Sequence, residues 1–283
     1  MKTRHYLFIG TLGLALTGII FTGCKKDTPA PTVPSTQTST EAAQDDANAS
    51  FVMNDSKNIS DGANQGQADE RVMNGYPILL KRDTIVNSVH DTLLDVYFGP
   101  TDMLCSDFRT RRGHVIIYFV PNTYLTLGSV IGMTFYNYYV NDIGVTGART
   151  LTNTSSTSWN LQANLTLTYP NNGGYATWNS TREDTLKQVG SIWYWTVSGS
   201  ASGQCRTGAT YTITITQPLY VEVSSWISTN PWPSCPDIES GKLTLTASGY
   251  VYPLYVTFGT AIGTCSNTGV ASIDNINYNF YQQ

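Results

Sequence analysis

Charged side chains are scarce in this chain. Asp, Glu, Lys and Arg make up 13% of its 283 residues, against roughly a quarter in an ordinary soluble domain. The 16 basic and 20 acidic groups leave a formal charge of −4, which excludes the basic surface of a nucleic-acid binder. Histidine is scarcer still, at 3, and neither His90 nor His114 has a Ser or Cys at a nucleophile spacing. Gly-x-Ser-x-Gly, His-Glu-x-x-His and phosphate-cradling Gly loops are all missing. Long apolar runs are limited to one, Tyr6 to Phe21, which is shorter than the ~20 residues of a spanning helix. Aromatics, in contrast, are plentiful, with 18 Tyr and 6 Trp.

The single apolar run follows Lys2 and Arg4 and ends at Thr22-Gly23-Cys24. A charged start, an apolar middle and small residues at the end describe an export signal over residues 1–23. Small residues directly before a cysteine resemble the lipobox of bacterial lipoproteins. The resemblance implies cleavage before Cys24 and lipid attached to its sulfur and amine. Acyl chains contribute ~0.8 kcal/mol per buried CH₂, enough for stable anchoring when more than one is attached. Lys25-Lys26-Asp27 after the cysteine resembles the start of lipoproteins of Bacteroidota, and Lys rather than Asp after Cys24 resembles outer-membrane sorting.

Residues 24–43 are rich in Thr, Pro and Ser, a composition expected to form a flexible tether. Residues 44–75 are expected to hold one short helix and a linker. Asp45 and Asp46 suit a helix start, and Phe51, Val52, Asp55 and Ile59 lie at near-helical spacing. That pattern predicts a short amphipathic helix docked on the main sheet.

From residue 76 to 283, β-branched and aromatic runs alternate with Gly, Asn, Pro and Ser clusters. His114 to Val120, Trp159 to Tyr169 and Tyr211 to Thr216 are examples. The spacing between turn signals suits hairpins and is too short for helical crossovers. Alternation such as Thr212-Ile213-Thr214-Ile215-Thr216 puts one face on a core and one in water. The expected fold is all-β, an antiparallel multi-stranded meander forming a sandwich or a partly open barrel, with one short N-terminal helix. An internal repeat stands out: Leu94-Asp95-Val96-Tyr97-Phe98-Gly99 with Cys105-Ser106 recurs as Leu254-Tyr255-Val256-Thr257-Phe258-Gly259 with Cys265-Ser266. Each copy predicts a strand whose Leu, Val and Phe share a face and which ends at a permissive Gly.

The run Arg109-Thr110-Arg111-Arg112-Gly113-His114-Val115-Ile116-Ile117 resembles a segment of a family of uncharacterised Bacteroidota outer-membrane lipoproteins. Asn137-Tyr138-Tyr139-Val140-Asn141, Gly208 to Leu219, Ser240-Gly241 and Phe258-Gly259 to Cys265-Ser266 resemble later parts of that family. The resemblance spans roughly residues 76–280. It implies class and location and carries no catalytic residue.

Four cysteines remain after Cys24. In an oxidising compartment they suggest two disulfides, preferably Cys235 with Cys265 and Cys105 with Cys205. The first would stabilise by roughly 3 to 4 kcal/mol on the loop-entropy model. A zinc site would want a Cys-x-x-Cys or a nearby His pair, and neither occurs. The strand period places Trp193 and Trp195 on one face, while Trp226 and Trp232 lie in a loop-like stretch. These four are the candidate ligand-binding residues, to be weighed against sheet packing. Phe135-Tyr136-Asn137-Tyr138-Tyr139 carries bulk on both faces. Arg109, Arg111 and Arg112 read as a solvated turn pairing with nearby acids, or as a seat for an anionic glycan or lipid headgroup; Asp102 and Asp107 lie in the same loop and could hold calcium. Glu183, Asp184, Glu222, Asp237 and Glu239 are the carboxylates from which a glycosidase pair would have to come.

The expectation is a non-enzymatic, lipid-anchored exported protein of the outer membrane, without cofactor or metal, that binds a glycan or another envelope protein and no nucleic acid. A hydrolase acting on polysaccharide or envelope material is the alternative.

Overall fold

The computed structural model describes residues 36–64, 77–86, 89–105, 107–121, 123, 126–223, 235, 237–249, 252–259, 261–266, 268–273 and 276–281. One helix, α1 (Thr36–Asn64), precedes β1 (Ile78–Val86), β2 (Val89–Tyr97), β3 (Met103–Leu104), β4 (Thr110–Phe119), β5 (Val130–Val140), β6 (Ile143–Asn153) and β7 (Ser158–Thr168). The chain continues through β8 (Tyr175–Val189), β9 (Ile192–Gln204), β10 (Thr210–Glu222), β11 (Ile238–Ala247), β12 (Leu254–Phe258), β13 (Thr268–Ile273) and β14 (Ile276–Tyr281). All strands join one open antiparallel sheet in sequence order, with β3 added beside β4. The meander expected from the turn spacing is thus present, and the second sheet of a sandwich is not seen among the described residues.

Strict alternation builds the sheet's two faces. On β7, Trp159, Leu161, Ala163, Leu165 and Leu167 are buried while Asn160, Gln162, Asn164 and Thr168 are exposed. The repeat behaves as predicted: Leu94, Val96 and Phe98 are buried, as are Leu254, Val256 and Phe258. Gly99 and Gly259 follow them at φ 99° and 51°, a left-handed conformation natural to glycine.

The helix departs from expectation in extent and in place. It is 29 residues long, about 43 Å at 1.5 Å per residue, and begins at Thr36, inside the stretch expected to be tether. It is not an amphipathic helix lying on a face. Almost every side chain from Ala42 to Ala63 is buried, polar ones included, and α1 contacts β2, β4, β8, β11 and β14. The sheet therefore curls about the helix and encloses it on several sides. A helix so enclosed has no water-facing stripe, so its polar side chains need protein partners instead.

Inward-facing strand residues supply those partners. Near the helix start, Asp46 accepts a hydrogen bond from the Trp178 indole at 2.7 Å and faces Arg182 at 3.4 Å. Asp45 accepts from the Arg206 backbone N–H at 2.9 Å and pairs with its guanidinium at 2.7 Å. Arg182 also donates to the Ser50 hydroxyl, and Asn48 to the Tyr169 hydroxyl. Burial still pushes the Asp45 and Asp46 carboxyls above the ordinary 3.8, because desolvation outweighs the single cation each one meets. Farther along, Arg149 donates to the Met53 carbonyl at 2.9 Å. Lys57 bonds Asp61 at 2.7 Å and sits 4.0 Å over the Trp195 ring.

Arg111 is the centre of the network. Its Nη2 and Nε donate to Asp55 of α1 at 2.6 and 3.3 Å, and its Nη2 and Nη1 donate to Asp107 at 2.6 and 2.8 Å. Tyr138 donates to Asp55 from the opposite strand at 3.2 Å. Burial alone would raise the Asp107 carboxyl, but hydrogen bonds from Arg111 and the charges of Arg111 and Arg109 hold it below 3.8. The basic cluster is therefore no solvated turn. Arg111 is fully buried, and Arg109 is buried over the Phe51 ring at 4.4 Å. The loop acids suggested for calcium are taken by these cations, Asp107 by Arg109 and Arg111, and Asp102 by Arg112.

Replacing Arg111 by Met leaves two buried carboxylates short of a counter-ion. Breaking a buried pair from one side costs about 3 to 5 kcal/mol, so urea unfolding of Arg111→Met should lose that much stability. A loss under about 1 kcal/mol would show that the network does not hold the helix.

Candidate functional site

The outward face changes character around the sheet. From β6 to β10 it is a field of short polar groups, among them Thr150, Gln162, Asn179, Ser200 and Thr212. A shallow groove of about 680 Å³ crosses these strands and is lined by no aromatic ring. This surface is opposite in kind to the apolar outer band of a membrane-spanning barrel. No described helix is long and apolar enough to cross a membrane.

Across β2, β4 and β5 the outward face is aromatic instead. Tyr97, His114 and Tyr136 lie opposite one another on the three strands. The Tyr97 and His114 rings stack with centroids 4.2 Å apart and planes at 15°. Tyr136 lies 5.7 Å beyond the His114 ring and is 61% exposed. Such spacing is ordinary for cross-strand aromatic neighbours, but here one edge of the row stands in solvent.

A β-bulge creates this arrangement. The β4–β5 register shifts between Arg112/Tyr139 and His114/Tyr136, so Asn137 and Tyr138 together oppose Gly113. Asn137 has φ 48° and Gly113 φ 82°, and a Cβ on Gly113 would lie 1.9 Å from the Asn137 carbonyl oxygen. Only glycine fits there. The extra residue resets the side-chain alternation. Tyr136 therefore points out, Tyr138 points in to Asp55, and Tyr139 returns outward. The two-sided aromatic run of the sequence thereby divides into a core half and a surface half.

Between the rings lies a pocket of about 350 Å³ lined by Tyr97, Arg112, His114, Tyr136, Asn137 and Tyr139 with glycine and proline backbone. Arg112 lies over the Tyr139 ring at 3.6 Å. It bonds Asp102 and approaches Asp142 at 3.7 Å. His114 Nδ1 meets Asp95 at 2.8 Å. Each basic group of the pocket already has a carboxylate beside it, so the pocket is not a cationic trap. It offers ring faces together with an amide and hydrogen-bonding edges.

Trp193 and Trp195, two of the four tryptophans expected to form a binding face, lie elsewhere. Trp195 is 3% exposed and meets Trp159 edge-on at 4.7 Å. Trp193 is half-buried against the core. Both faces of the strand are covered there, since Tyr194, on the side opposite Trp193 and Trp195, is buried as well. Burial and the neighbouring Glu239 push its hydroxyl up to about 12. Trp226 and Trp232 fall outside the described residues, as do Cys24 and the side chain of His90. Of the carboxylates, Glu183 points outward and Asp184 inward, as adjacent strand residues must. Glu222 and Glu239 instead accept the backbone N–H groups of Cys235 and Gly263.

Cys235 and Cys265 form the expected disulfide. The second bridge does not form. Cys105 and Cys205 are free and buried, one near the β3–β4 turn and the other near the β9–β10 turn. The Cys105 thiol faces the Met103 carbonyl at 3.7 Å, and Cys205 faces the Thr207 hydroxyl at 3.0 Å. Their even count with the bridged pair suggested a partnership that the sheet keeps apart. Cys235, Cys265 and Asp237 cluster closely enough to hold a metal ion, but the bond between the two sulfurs removes both thiolates.

Comparison of the chain with protein-family models, with curated proteins and with solved structures finds no match.

Burial pushes the Cys105 thiol above its ordinary 9.0, so it should react slowly in the native protein. Non-reducing denaturation followed by alkylation and peptide mapping should label Cys105 and Cys205 and leave Cys235 joined to Cys265. A peptide linking Cys105 to Cys205 would contradict the structure.

Proposed function

We propose that this chain is a lipid-anchored protein of the bacterial outer membrane that binds a neutral sugar ring of an envelope or extracellular glycan. The observation that carries the reading is the outward-facing row Tyr97–His114–Tyr136, with Arg112, Asn137 and Tyr139 closing the pocket beside it. A pyranose has an apolar C–H face that stacks on a tyrosine and hydroxyls around its rim that need donors and acceptors. The pocket supplies both. The Arg112–Asp102 ion pair and the Asp95 carboxylate beside His114 favour a neutral ring over an acidic one. The reading makes the protein a binding module, consistent with the resemblance to Bacteroidota lipoproteins, and asks no acid–base chemistry of it.

The anchor follows from Thr22-Gly23-Cys24 and the basic start that precedes it. Because α1 begins at Thr36, only residues 25–35 separate the lipid from the folded unit, a reach of about 40 Å at most.

Two experiments test the two halves. Mass spectrometry of the protein from a lipoprotein-processing host should find the signal removed and lipid on both the sulfur and the amine of Cys24; an unmodified N-terminus would sink the anchor. Titration calorimetry against neutral and uronic-acid oligosaccharides should find binding to a neutral chain. Tyr136→Ala and Tyr97→Ala should each weaken it about tenfold, ~1.4 kcal/mol, while Thr212→Ala on the distant polar face leaves it unchanged. Equal binding by all three variants would remove the pocket from the function.

A further inference from the structure

Strand β1 ends the sheet, and among the described residues its only strand partner is β2. Leu80, Lys81, Arg82, Asp83 and Ile85 are all exposed, although they alternate between the two faces. Leu79 packs against the core at the start of the strand, but an edge exposed along its middle, with no proline to interrupt its row of N–H and C=O groups, is a template for another strand. Natural edges of that sort are usually shortened, covered or guarded by charge. Here the charges at the middle of β1 are arranged as a complementary set.

The strand runs Ile78-Leu79-Leu80-Lys81-Arg82-Asp83-Thr84-Ile85-Val86, with Arg82 at its centre. Two copies paired antiparallel about a two-fold axis at Arg82 overlap along their whole length. In that same register Lys81 of each copy lies opposite Asp83 of the other, and Leu79 lies opposite Ile85. These four residues share one face of the strand, so the face reads apolar, positive, negative, apolar against its reverse. Opposite charges and apolar pairs directly across from each other each contribute roughly 0.2 to 1 kcal/mol in a sheet. On the other face Leu80 meets Thr84, and the two Arg82 side chains flank the axis. Shifting the register by two residues, which keeps the faces matched, sets Lys81 against Lys81 or Asp83 against Asp83. The register of full overlap is thus also the one that pairs the charges.

We propose that the occupant of this edge is a second copy of the chain, joined β1 to β1 into a continuous antiparallel sheet with isologous two-fold symmetry. Two-fold closure consumes both β1 edges and leaves no growing end on that side. The two pockets of the preceding reading would be displayed by one dimer, although the dimer itself does not depend on that reading.

Charge exchange in the full chain, purified in detergent and followed by sedimentation velocity, tests it. The wild type should show a reversible dimer. Lys81→Asp and Asp83→Lys should each weaken it at least tenfold by placing like charges opposite one another, and the double variant Lys81→Asp/Asp83→Lys should restore it. Arg82→Thr should tighten it by removing the like pair at the axis. Arg82→Cys should give an intermolecular disulfide on mild oxidation, because opposing residues in a sheet lie within disulfide reach, whereas Ile85→Cys should not join to itself. A monomer at every concentration would overturn the proposal. So would a dimer indifferent to the charge exchange, which would mean pairing through β14 or through another surface.

Discussion

The burial of α1 is the constraint on which the rest of this structure depends. A helix enclosed by a curled sheet cannot leave a polar side chain to water, and α1 carries Asp45, Asp46, Asp55, Lys57 and Asp61 among its buried positions. The strands answer with inward-pointing arginines at 111, 149 and 182, each at a position where alternation would ordinarily place an aliphatic group. Hydrophobic burial sets no particular rotation for a helix in such a space, since Ala42, Ala47, Val52 and Ile59 can be covered from many directions. The bidentate Asp55–Arg111 contact and the Asp46–Trp178 bond are directional. They define both the height and the rotation of the helix, which is the use of buried polar groups that specificity arguments favour.

This explains why the sheet could be read from sequence while the helix was legible in its presence but not in its length or its enclosure. Strands such as β7 and the first half of β10, Thr210 to Thr214, alternate cleanly because one face meets core and the other meets water, and that contrast is written residue by residue. The helix meets protein on nearly all sides, so no apolar stripe distinguishes one of its faces. Its first turns also have the Thr-rich composition of a tether. The arginines misled for the same reason. Arg109-Thr110-Arg111-Arg112 looks like a surface turn until the carboxylates of α1, more than fifty positions earlier, are known to stand in front of it.

The binding pocket was half legible. Phe135-Tyr136-Asn137-Tyr138-Tyr139 announces aromatic bulk on both faces of a strand, but period-two reasoning puts Tyr136 and Tyr138 together. The bulge at Asn137 separates them, and a bulge leaves only a faint trace: an Asn able to adopt positive φ and a glycine on the facing strand. The tryptophans drew attention by their size, and size is what commits Trp159, Trp178 and Trp195 to the interior of a wide sheet whose core needs filling. Tyrosine, with an apolar ring and a polar tip, suits the boundary better.

The same physics relates the core to the surface. Tyr138, one residue past the bulge, donates to the Asp55 carboxylate that Arg111 also holds, while Arg112, one residue past Arg111, lies over Tyr139 in the pocket. The bulge is thus anchored from within by the helix network and opens outward as the aromatic row. A disturbance of the Asp55–Arg111–Tyr138 contacts would be transmitted to Arg112, Tyr136 and Tyr139 through at most two backbone residues. The buried helix therefore does more than fill the curl of the sheet: its polar contacts hold the bulge between β4 and β5 on which the outward-facing aromatic row rests.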